Sequence, residues 1–169
     1  MSLREILIYP DKRLRKKSVP VKRFDKKLNQ LLDDMAETMY HAPGVGLAAP
    51  QIGKNVRIIV VDINVTEDKV KELKELINPK IVESYGTQIS EEGCLSVPGF
   101  LGNINRNEDI VVEALNRKGE NIVIKASELL SRVLQHEIDH LDGILFFDRM
   151  SKLKRQLFKR KVEKALGSE

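Results

Sequence analysis

The sequence is poor in residues that staple or anchor a chain. It holds one cysteine, Cys94, and three histidines. A lone thiol excludes an intramolecular disulfide and fits a reducing compartment, so a cytoplasmic location is expected. Long apolar runs are missing as well. The longest near the start is Ile6-Leu7-Ile8-Tyr9, well short of the roughly 18 residues that a membrane span needs. No charged segment leads into an apolar stretch, so no secretory signal is expected. Neither an internal repeat nor a low-complexity linker interrupts the chain. What is present is a globular composition. Hydrophobic residues make up 41% and charged residues 32%, which is enough apolar material to offset the entropy of ordering and exclude a disordered chain. The expectation is one domain spanning 1–169, with a core that needs no covalent staples.

The net charge of +4 hides a partition. Residues 1–30 carry ten basic and three acidic side chains, residues 31–148 eleven and twenty, and residues 149–169 eight and two. Both ends are therefore basic and the middle is acidic. Basic ends can hold a polyanion such as RNA through counterion release. The plainer reading of such a run is a solvated helix face.

Apolar periodicity places the elements. Leu28, Leu31, Leu32, Met35 and Met39 recur at i, i+3, i+4, i+7 and i+11, which predicts a helix over Asp25–His41 with Asp25 as N-cap and Pro43-Gly44 as its stop. The small residues of Gly44-Val45-Gly46-Leu47-Ala48-Ala49-Pro50-Gln51 read as a loop. Arg57–Ile63, apolar and β-branched, predicts a buried strand. The charged segment Val65–Leu76 has no clear period. Lys80–Ser90 reads as a hairpin turning near Gly86, and Ile110–Leu115 with Asn121–Lys125 as a second, turning at Gly119. Ser127 is placed to cap a helix ending at Leu141, with Gly143 just beyond. A last helix, about 151–166, carries the stripe Leu153, Leu157, Phe158, Val162 and Leu166. Helix, strands, helix, helix is an α+β order rather than alternating βαβ units.

The sharpest local signal is His136-Glu137-Ile138-Asp139-His140. Helical positions four apart lie about 40° apart and roughly 6 Å along the axis, so both imidazoles can reach one ion. Glu137, about 100° round from His136, reaches water on that ion, which is the placement of a general base. A catalytic site needs a third ligand. The pattern continues to Gly143 as in metzincins, but Phe146 stands where their third histidine would be and cannot ligate. Two donors remain, Glu163 on the last helix and Cys94 in the setting Glu92-Gly93-Cys94-Leu95-Ser96. A Cys94, His136, His140 set suits zinc, ferrous iron, cobalt or nickel, with a water in the open position and its pKa lowered towards neutrality.

Three segments, Gly44-Val45-Gly46-Leu47-Ala48-Ala49-Pro50-Gln51, Glu92-Gly93-Cys94-Leu95-Ser96 and His136-Glu137-Ile138-Asp139-His140-Leu141-Asp142-Gly143, resemble the three signature motifs of peptide deformylases, in order and without mismatch. The similarity extends over roughly Ile6–Lys154 and looks like the bacterial type with a C-terminal helix. The resemblance implies antiparallel sheets packed around a central metal-binding helix, followed by a C-terminal amphipathic helix. It implies an enzyme that removes the formyl group from N-formylmethionine on new polypeptides and releases formate, by way of water activated on the ion. It assigns Cys94, His136 and His140 to the metal, Glu137 to acid/base catalysis, and Gln51 with the backbone N–H of Leu95 to the oxyanion. It implies ferrous iron as the native ion, with zinc, nickel or cobalt able to replace it. Partners are formylmethionyl nascent peptides and, through the basic last helix, the ribosome; neither a membrane nor DNA is expected.

The same helix indicates where substrate lies. Leu129, Val133, His136 and His140 share one face. An apolar wall beside the ion suits a methionine side chain, so Leu129, Val133 and Val45 are expected to line its pocket with Arg132 at the rim. Gly46 and Gly93 are expected on the substrate-binding surface, where a missing side chain lets a peptide backbone approach. Arg106 is a position where the family often carries arginine, and it is expected to orient the site by pairing with Asp139. His41 reads as a surface residue.

Overall fold

The computed structural model describes residues 2–64 and 71–167. Among these residues, two antiparallel sheets and three α-helices make up an α+β fold. The larger sheet has the order β1-β2-β3-β6-β7, formed by Gly46–Ala48, Ile58–Val61, Lys74–Tyr85, Asp109–Leu115 and Asn121–Ser127. The smaller pairs β4, Gln88–Cys94, with β5, Val97–Arg106. The helices are α1, Lys26–His41; α2, Glu128–Leu141; and α3, Lys152–Leu166.

Strand β2 shows why its run is apolar without alternation. All four of its residues are buried. Ile58 and Val60 join α1 in one core cluster, whereas Ile59 and Val61 join α2 in another. Side chains alternate across a strand, so a strand covered on both faces needs apolar residues at every position. α1 follows its expected stripe, with Asp25 accepting a hydrogen bond from the Leu28 N–H at 3.0 Å. Eleven of the fourteen residues of α2 are buried, which makes it the central helix. Gly143 ends it at φ +75°, where a Cβ would lie 2.4 Å from the Arg15 carbonyl oxygen, so no other residue fits there.

Several local expectations change. The segment 44–51 is not a loop: Gly46–Ala48 pairs with β2, and Ala49–Ile52 is a 3-10 turn. Small residues are required because this strand is covered on both sides. Lys80–Ser90 is not a hairpin either. β3 pairs with β2 and β6, whereas β4 leaves for the second sheet and pairs with β5, a strand the sequence reading did not separate. Gly86, at φ +65°, is the bend between the sheets. Ser127 holds the N-cap position but makes no capping bond, because its hydroxyl donates to Asp109. In α3 only Val162 is fully buried, with Phe158 and Leu166 packed beside it. Leu153 and Leu157 are 67% and 56% exposed. Each lies nine positions from Val162 or Leu166, about 180° round the helix. Part of the segment Val65–Leu76, residues 65–70, lies outside the described residues.

Candidate active site

The three ligand atoms offered by Cys94, His136 and His140 all lie within 4.8 Å of one another. Local structure presents each. Cys94 is the last residue of β4, where a register shift turns the chain into β5. The histidines stand one turn apart on α2, with ring centroids 5.1 Å apart. Cys94 Sγ is 3.3 Å from His140 Nε2. His136 Nδ1 is 3.0 Å from Glu92 Oε1, which leaves its Nε2 free for the cluster. Phe146, at the position of a metzincin histidine, stacks on the His136 ring instead. Glu163 is not in the group; it accepts a hydrogen bond from the Tyr9 hydroxyl at 2.9 Å.

Glu92 was not singled out from sequence, yet it organises the buried charge. It accepts two hydrogen bonds from Arg106, both at 2.9 Å, and a further one from Arg132. Burial alone would raise its pKa; the bonds from Arg106 and His136 outweigh that and hold it at about 2. Arg106 also reaches Asp139 at 2.6 Å, and Arg149 grips the same Asp139 with two bonds. Three guanidinium groups thus surround two carboxylates behind the histidines. The signal for Glu92 was its parity: on β4 it alternates with the outward Glu91 and Gly93. Nothing local marked Arg149, which lies ten residues beyond Asp139.

Glu137 sits beside the cluster. Burial raises its pKa to about 7, with the positive charge of His136 opposing. Its Oε1 has no hydrogen-bond partner among the described residues, and neither does His140 Nδ1. Gly46 faces it so closely that a Cβ there would lie 2.6 Å from Glu137 Oε2. Between the imidazoles, burial lowers the pKa of His140 well below its ordinary value. For His136, bonds to Cys94 and Glu92 outweigh burial and raise it. Gln51 is buried, with Oε1 accepting from the Ala48 N–H at 2.9 Å and Nε2 directed at Ser96 Oγ, 3.1 Å, and Cys94 Sγ, 3.6 Å.

Of these groups Gln51, Glu92, Cys94, His136 and Glu137 line a cleft of about 590 Å³. Val45, Gly46, Gly93, Leu95, Leu129, Arg132 and Val133 are all in its lining. Arg132 is in the wall rather than at the rim: it is 4% exposed, and its guanidinium also holds the carbonyl oxygens of Ser90, Gln88 and Ile104. Glu92 and these carbonyls supply partners for both terminal nitrogens inside the wall.

Fold and cluster together define a class: an α+β protein with a cysteine–histidine centre and an adjacent buried glutamate in an apolar cleft. The chain belongs to the polypeptide deformylase family, whose model matches residues 3–156. It is 51% identical to the peptide deformylase of Thermodesulfovibrio yellowstonii over 163 residues, covering 96% of this chain and 98% of that one. A crystal structure of the Legionella pneumophila peptide deformylase superposes with a TM-score of 0.89 at 48% identity, covering 97% and 95% of the two chains. That of the Ehrlichia chaffeensis enzyme in complex with actinonin gives 0.89 at 41% identity, covering 99% and 100%. The chain is thus an enzyme, a hydrolase of this family. Among the described residues no helix is long and apolar enough to cross a membrane.

Proposed function

We propose that this protein removes the formyl group from N-formylmethionine at the start of new polypeptides. The carrying observation is the open Cys94–His136–His140 cluster beside a buried, unpartnered Glu137 oxygen at the end of an apolar cleft. The donor set fits a divalent ion. One thiolate and two imidazoles offset part of its charge, and three protein donors leave a position open. Ferrous iron is the proposed native ion, held by those three residues. When bound, a divalent ion polarises the formyl oxygen and lowers the pKa of water.

The chain's own residues do the rest. Glu137 takes a proton from the attacking water and passes it to the departing nitrogen. The water oxygen bonds to the formyl carbon, the C–N bond breaks, and formate and a free α-amine result. Gln51 Nε2 and the Leu95 N–H stabilise the oxyanion; one such donor is typically worth about 2.7–4 kcal/mol. Glu92, through His136 Nδ1, fixes the imidazole that faces the ion, while Arg106 and Asp139 hold Glu92 and α2 in place. Val133, Leu129 and Val45 take the methionine side chain, and the backbone at Gly46 and Gly93 approaches the peptide.

The working unit is one domain, residues 1–169, acting in the cytoplasm. The exposed Lys154, Arg160, Lys161 and Lys164 of α3 are proposed to dock on ribosomal RNA. Anaerobic formate release from a formyl-Met peptide, with metal analysis of the same sample, tests the activity. Metal-loaded protein that releases no formate would overturn it.

A further inference from the structure

A second cavity lies away from the catalytic cleft and shares no lining residue with it. It is a groove of about 700 Å³ between the segment 19–23 and α1. Its floor is aliphatic: Val21, Leu28, Leu31, Val56 and Ile58 all belong to the core cluster under α1. Its rim is basic, with Lys22, Arg23 and Lys27 exposed there. Ion pairs among the described residues take up Arg4, Arg13, Arg15 and Arg57, but none of these three. The one acid in the lining, Asp25, accepts from the Leu28 N–H as the cap of α1.

Two observations define the occupant. The wall has little free backbone to offer. The Val19 N–H donates to the Asn55 carbonyl and the Val19 carbonyl accepts from the Arg57 N–H, while the Asn78 side chain satisfies both backbone groups of Val21. A peptide laid against that wall would leave its own N–H and C=O groups unpaired, a cost that an alkyl chain does not meet. Nor does an aromatic ring line the groove, so a nucleobase has nothing to stack on; Phe24 packs at Gly119 instead. We infer that the groove binds a long-chain carboxylate, its alkyl chain on the aliphatic floor and its head at the rim of Lys22, Arg23 and Lys27. An apolar cavity of this size with a few placed charges is the usual form of a small-molecule site. Asp25 on the same rim disfavours a second negative charge, and so a phosphate head. The inference does not depend on the deformylase reading.

The test titrates zinc-loaded protein with decanoate at low ionic strength, with Kd from calorimetry and location from NMR shifts. Shifts are expected at Val21, Leu28, Leu31 and Val56. Octanoate, two methylenes shorter, should bind about ten-fold more weakly, and decylammonium, with the same chain and the opposite charge, should not bind. Lys27→Glu should weaken decanoate about ten-fold and leave formate release unchanged; an acid in the first turn suits a helix N-terminus, so the variant keeps its fold. Shifts centred on Val45, Leu129 and Val133 would put the carboxylate in the catalytic cleft and overturn the inference. So would equal affinity for decylammonium, or undiminished binding by Lys27→Glu. Tighter binding of decyl phosphate, or binding to phosphatidylglycerol vesicles without binding of free decanoate, would overturn it as well.

Discussion

Helices α2 and α3 are of nearly equal length and both are amphipathic, yet they solve opposite problems. Of the fourteen residues of α2 eleven are buried, among them Arg132, Glu137, Asp139 and both histidines. Of the fifteen residues of α3 one, Val162, is fully buried, and its lysines and arginines are almost all in water. Charge inside α2 is held by partners from other elements, chiefly Glu92 and Arg106. Charge on α3 is held by solvent. The difference teaches where substitution should be costly: a charge matters to stability in proportion to how completely the protein, rather than water, satisfies it.

The largest expected effect is on turnover. Glu137→Ala should lower kcat by about 10²–10⁴-fold, the usual worth of a positioned acid/base, while metal content measured by atomic absorption stays at one ion. Cys94→Ala should instead empty the site. Equal turnover in Glu137→Ala would remove that residue from the chemistry. Next is Glu92→Ala, which takes the shared carboxylate away from two buried guanidinium groups and should destabilise by about 3–5 kcal/mol in urea unfolding. The matching change on α3, Lys161→Ala, should shift stability by less than about 0.5 kcal/mol; a similar loss for both would erase the contrast between the helices.

A smaller effect comes from Asp34 on α1, a carboxylate that is 1% exposed. Burial alone would raise its pKa, but hydrogen bonds from the Ser2 N–H, Arg4 and Gln30 outweigh that and lower it to about 2 from 3.8. A depressed folded pKa stabilises above the unfolded value, and the contribution disappears as pH falls through the folded one. About 2 kcal/mol should therefore be lost between roughly pH 4 and pH 2. Asp34→Asn should flatten that segment of the stability–pH curve; an unchanged curve would mean that Arg4 and Ser2 do not hold the acid. Smallest of all, Val162→Ala should cost about 1–2 kcal/mol, and Leu157→Ala, on the far side of the same helix, less than about 0.5 kcal/mol.

Sequence reading succeeded where the information was local. Four-residue spacing placed His136 and His140 on one face, the apolar period delimited α1, and Gly119 marked the turn of the β6–β7 hairpin. It failed where partners are distant. Lys80–Ser90 has the composition of a hairpin, but which strand pairs with β3 is settled by β6, 24 to 38 residues on. Leu153 and Leu157 were grouped with Val162 because all are apolar, although the helical angle sets them opposite. Arg132 was expected at a rim because an arginine alone tells nothing of Glu92, forty residues away.

Helix spacing, the residue types able to bind a soft divalent ion, and the order of three short motifs were determined by the chain as written, since each depends on neighbours within a turn or a strand. Only the tertiary structure decided that Cys94 meets the two imidazoles and that Glu92 supports one of them. Those outcomes depend on strand pairing and burial, and both are properties of segments that meet only once the chain has folded.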